Sequence, residues 1–133
     1  MKMQESQVSV LSHEYAEGEP PSVFRLSGAL SEWLFSSKFW ANFNAKHGTM
    51  FDQYEEDEAP VPIINAIVEA LDERIRVLQG QDEPSIEFVF RWTSENTPIT
   101  MCVPRNLLIS ELIGFRNFLI EAAVNNLCVC FSL

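Results

Sequence analysis

Apolar positions along the chain repeat with two periods, and the switches between them mark out the elements. The longest helical pattern runs from Val103 to Asn126, VPRNLLISELIGFRNFLIEAAVNN. On a helical projection Asn106, Ser110, Asn117 and Glu121 share one narrow polar stripe. Nearly all other positions are apolar apart from Arg105, Glu111 and Arg116. So narrow a wet stripe predicts a helix covered on most sides, the element around which the rest is built. A second helix opens on Pro60 and Pro62, tolerated in a first turn, and Gly80 stops it. Ile64, Ile67, Val68, Leu71, Ile75 and Leu78 follow helical spacing on one face. Glu69, Asp72, Glu73 and Arg76 take the other, where Asp72 can support Arg76 one turn on. A third helical pattern starts after Ser27, a good N-cap, and runs from Gly28 to about Lys46 before Gly48. Ser36 and Ser37 interrupt its apolar face, so it is either one helix or two with a joint there.

Period-two alternation predicts the strands. Gln7 to Leu11 sets Val8 and Val10 against Gln7 and Ser9, and Val23 to Leu26 is short enough for a second strand. Ile86, Phe88, Phe90 and Trp92 alternate with Glu87, Val89 and Arg91. A turn at Thr93 to Thr97 leads to Ile99, Met101 and Val103, the other arm of a hairpin. The closing LCVCFSL is apolar on both faces, which places it inside a sheet, with Cys128 and Cys130 on one side. His13 to Ser22 and Thr49 to Ala59 read as loops, the first with Gly18, Pro20 and Pro21 and the second strongly acidic. The fold class expected is α+β: a four- or five-stranded antiparallel or mixed sheet with three main helices packed on it. Its 133 residues suit one domain, 1–133, and 47% hydrophobic residues supply a core.

Charge changes this picture most. The chain has 9 basic and 19 acidic residues, a net −10. Ten of the acids fall between Asp52 and Glu83, opposed only by Arg74 and Arg76, so that segment carries −8 of the total. Such a surface repels nucleic acid and anionic membranes and attracts a basic protein partner. The densest run is Asp52, Glu55, Glu56, Asp57 and Glu58, broken only by Gln53 and Tyr54. It lacks the ligand offsets and glycine of a calcium loop. A charge run of this kind is either solvated or a recognition surface, and an embedded tyrosine suits recognition. The candidate partner-binding residues are therefore Asp52, Tyr54, Glu55, Glu56, Asp57 and Glu58. Trp33 and Trp40, seven apart on one helical face, join them if exposed, as anchors of a homodimer or adaptor interface; otherwise they are core.

Little points to catalysis. Three cysteines with no histidine near them in sequence fall short of a structural zinc set, and free cysteine is commonly buried, so inert thiols are expected. His13 and His47 are the only histidines, and no nucleophile motif, phosphate loop or G-x-G-x-x-G accompanies them. No enzyme activity, metal or cofactor is expected. The opening MKMQESQVSV has no long apolar region, so no leader is expected, and the thiols suit a reducing cytoplasm.

The segment around the acidic run is similar to a loose G-T-x-F-D-x-Y-E pattern found in small acidic bacterial immunity proteins. Gly48, Thr49, Phe51, Asp52, Tyr54 and Glu55 carry the resemblance, within residues 27 to 78. It implies a protein that binds a toxin stoichiometrically and blocks it without doing chemistry. The alternative from another class is a structural or adaptor subunit oligomerising through the aromatic helix; a small enzyme with a pocket between sheet and helices comes third.

Overall fold

A computed structural model describes residues 6–11, 23–53 and 55–133. Along the chain the elements are β1 Ser6–Leu11, β2 Val23–Leu26, α1 Gly28–Ser36, α2 Phe39–His47 and β3 Glu56–Ala59. They continue with α3 Val61–Gln79, β4 Ser85–Trp92, β5 Pro98–Pro104, α4 Arg105–Val124 and β6 Cys128–Ser132. The fold is α+β, and its strands form two antiparallel sheets where the sequence suggested one. The main sheet has the order β2-β1-β6-β3; among the described residues β4 and β5 pair only with each other. The expected loop at His13 to Ser22 lies outside the described residues, as do His13 and Tyr54 themselves.

The main sheet is wet on one side. Its inner face carries Val8, Leu26, Ala59, Val129 and Phe131, each 1% exposed or less. Its outer face carries Gln7, Arg25, Cys128, Glu56 and Glu58, all exposed. Antiparallel sheets tolerate this, because alternate residues point to opposite sides. β6 lies between β1 and β3, as its apolar run suggested, but that run does not mean that both faces are covered. Cys102 and Cys128 are exposed and Cys130 is half-buried, so the expected buried thiols are corrected. The core takes Val129 and Phe131 and leaves Cys128 and Cys130 on the open face.

Helix α4 buries Leu108, Leu112, Phe115, Leu119 and Ala122 along one stripe. The polar stripe falls where the projection put it, but Leu107, Ile120 and Val124 beside it are exposed too. The helix therefore buries one face and is not covered on most sides. Phe131 of β6 packs edge-on against Phe115, Trp40 and Phe51, with ring centroids 6.3, 5.8 and 5.2 Å away. Trp33 and Trp40, 5% and 1% exposed, are part of this core, which removes them as interface anchors.

The aromatic helix is two helices. Ser27 caps the first, its Oγ accepting from the Leu30 N–H at 3.2 Å and donating to Glu111 at 2.7 Å. Lys38 then adopts a left-handed φ of 63° and starts α2. Tertiary bonds hold the joint: Ser36 donates to the Val89 carbonyl, and Arg74 donates twice to the Ser37 carbonyl. In α3 the buried stripe is Ile64, Ile67, Leu71, Ile75 and Leu78, while Asp72 pairs at 2.9 Å with Arg116 of α4 and not with Arg76.

The hairpin is tied to α1 by one buried ion pair. Both Arg91 Nη atoms donate to the Glu32 carboxylate at 2.9 Å, and that carboxylate side chain is only 5% exposed. Removing one partner of such a pair leaves a buried charge without its counterion. Arg91→Ala should destabilise the fold by about 2 kcal/mol, below the usual figure for a broken buried pair because Arg91 is partly solvated. Replacing both residues with leucine should recover most of the loss. Urea denaturation of the three proteins checks this; a single variant as stable as wild type would show that water already screens the pair.

Candidate protein-binding edge

Local chemistry leads the chain from α2 into the acidic run. Gly48 ends α2 in the left-handed region, with φ 68°. Asn44, in the last turn, then clamps the segment from Thr49 to Phe51. Its amide donates to the Phe51 carbonyl at 2.8 Å, and its Oδ1 accepts from the Phe51 N–H at 3.0 Å and the Thr49 hydroxyl at 2.7 Å. Phe51, 4% exposed, drops into the core against Trp40 at 5.0 Å. In G-T-x-F-D the glycine is thus a cap, the threonine a staple and the phenylalanine an anchor. Each of the three fixes where the acids emerge.

The acids do not form a loop throughout. Glu56–Ala59 is strand β3, at the rim of the main sheet and, among the described residues, paired only with β6. EDEA has no intrinsic strand signal, and the pairing comes from β6 beside it. Glu56 lies opposite Ser132 and Glu58 opposite Cys130, on the outer face; Asp57 lies opposite Phe131, on the inner face. Asp52 and Glu55 precede the strand and are exposed. The structure therefore brings Glu55, Glu56, Asp57 and Glu58 together at one sheet edge, with Asp52 exposed ahead of it, and Tyr54 lies outside the described residues.

Among the described residues no cation pairs with these carboxylates. Among the described residues the ion pairs are Glu32–Arg91 and Asp72–Arg116, both away from the edge. The Asp57 Oδ2 atom is buried and finds no hydrogen-bond donor among the described residues. The field reaches β6. The Cys130 thiol is pushed above its usual value, first by burial and then by Glu56, Glu58 and Asp57. A raised thiol pKa means less thiolate at a given pH and slower alkylation. Near pH 8, iodoacetamide should therefore modify Cys102 and Cys128 before Cys130. Changing Glu56 and Glu58 to glutamine should lower the Cys130 pKa and speed its reaction, read by mass spectrometry of the peptides. Equal rates at Cys130 before and after neutralisation would show that burial alone sets its pKa.

Other sites offer less. A trough of about 930 Å³ is lined by Phe43, His47, Asp72, Arg74 and Arg116 among others. Asp72 and Arg74, two apart on α3, point about 200° apart, so this is a broad depression over a helix and not a closed cavity. His47 packs on the Phe43 ring at 4.4 Å, and no hydrogen bond ties it to a carboxylate among the described residues. No base with an orienting partner is assembled there. Among the described residues no His, Cys, Asp and Glu cluster could hold a metal ion, and no helix is long and apolar enough to cross a membrane. Comparison with protein-family models, curated proteins and solved structures finds no match.

Proposed function

We propose that this protein is a stoichiometric binding protein of the immunity type, acting in the bacterial cytoplasm. Its acidic edge docks on a basic protein, such as a toxin or nuclease domain, and blocks it. The observation that carries the proposal is the concentration of carboxylates at one sheet edge, without an ion pair among the described residues and held in place by Phe51 and β6. Like charges so close repel one another, and a cationic surface would relieve that. A second reading rests on the same strand: charge on an edge strand keeps sheets from pairing edge to edge. The two separate experimentally. Immobilised wild-type protein and a Glu55→Gln, Glu56→Gln, Asp57→Asn, Glu58→Gln variant are exposed to lysate of the source organism, and retained proteins are identified. A basic protein retained in equimolar amount by wild type alone supports the binding role. A variant that aggregates, with no basic protein retained by either, supports edge protection.

A further inference from the structure

The register of β3 indicates how such a partner would engage. The Leu133 N–H donates to the Glu55 carbonyl at 3.2 Å, so Glu55 and Leu133 form a hydrogen-bonded pair. Antiparallel pairs alternate between bonded and non-bonded. The next bonded pairs along β3 are Asp57 with Phe131 and Ala59 with Val129; Glu56 and Glu58 sit in the non-bonded ones. The backbone N–H and C=O of Glu56 and Glu58 therefore point away from β6, out of the edge that no described strand pairs. The two residues that offer main-chain groups to an incoming strand are also the two whose carboxylates lie on the outer face.

We propose, resting on the binding role above, that β3 receives an extended basic segment of the partner as a fifth, antiparallel strand of the main sheet. Main-chain bonds form between that segment and Glu56 and Glu58. Strand residues directly opposite share a face, so the segment's side chains facing Glu56 and Glu58 lie two apart. Recognition thus calls for Lys or Arg at alternate positions. The residue between them falls on the inner face, beside Asp57, where a hydroxyl or ammonium can donate to the buried Oδ2 that lacks a donor among the described residues. A second copy of this chain is a poor occupant, because β3 against β3 sets carboxylate against carboxylate.

The probe is a short capped peptide alternating lysine and threonine, with binding to the full-length protein read by titration calorimetry. A peptide of the same composition with its lysines in one block should bind more weakly. N-methylating a central lysine amide, which faces β3, should weaken binding about three- to tenfold, whereas N-methylating the adjacent threonine amide should not. On the protein, Glu58→Pro should weaken binding more than Glu58→Gln, since proline removes the outward N–H from an edge position that tolerates it. If Glu58→Pro does not fold, the methylated peptides still decide the matter on wild-type protein. Equal effects of the two methylations overturn strand addition. If the glutamine variant still weakens binding in that case, the acidic docking role stands without it; if glutamine too has no effect, both fall.

Discussion

A chain lacking Leu127 to Leu133 is expected to yield no folded protein. β6 lies between β1 and β3, so its removal leaves β3 unpaired and ends the sheet at β1. Val129, Phe131 and Leu133 are each 2% exposed or less, and Phe131 joins the rings of α2 and α4 to the sheet. Burial of a side chain of this size stabilises by about 1.5–3 kcal/mol, so three of them rival the total stability of a small domain, about 5–15 kcal/mol. The hydrogen bonds of two strand pairings are lost as well. Circular dichroism should show no cooperative thermal transition, and the soluble fraction should fall, while Cys130→Ala on the open face keeps both. A native-like transition in the truncated chain would mean that β6 is peripheral to stability.

Some of this fold could be read from the residues because one physical demand fixed one pattern. Helix α3 has a single buried stripe and a charged opposite face, and its spacing gave its extent to within a residue or two. Ser27 and Gly48 mark ends because cap geometry depends on the residue itself. Patterns that depend on what lies opposite were read less well. β3 is a strand only because β6 runs beside it, so EDEA gave no sign of it. α4 is apolar on most sides, yet nothing in its spacing says that Leu107, Ile120 and Val124 stay exposed. Apolar β6 suggested cover on both faces, but cysteine and serine are small and tolerate water.

The candidate edge divides in the same way. That the acids matter was visible from their density. That they stand at a sheet rim, with Glu56 and Glu58 outward and Asp57 inward, depends on pairing with a strand more than 70 residues further along the chain. For the aromatic pair Trp33 and Trp40 the sequence leaves core and interface open. Spacing placed them on one face, but spacing cannot say whether that face meets solvent or core, and both are buried.

Under the proposed binding role, neutralising the edge should slow association with a basic partner by at least about tenfold. Steering by complementary charge raises association rates by about 10–1,000-fold, and it acts on the encounter more than on the bound complex. Four substitutions, Glu55→Gln, Glu56→Gln, Asp57→Asn and Glu58→Gln, remove most of the local charge and almost none of the side-chain volume. Folding should survive them. No ion pair among the described residues is lost, repulsion falls, and Asp57→Asn removes a charge whose buried Oδ2 has no donor. Thermal stability should therefore stay equal or rise slightly. For wild type the association rate should fall as salt rises, because the Debye length is about 8 Å at physiological ionic strength and shorter above it. The variant's rate should be nearly flat over the same range, and the two curves should converge at high salt. Stopped-flow or surface-plasmon kinetics at several salt concentrations measures both. Equal association rates for the two proteins at low salt would remove the electrostatic role of this edge and leave its acids as protection against edge pairing.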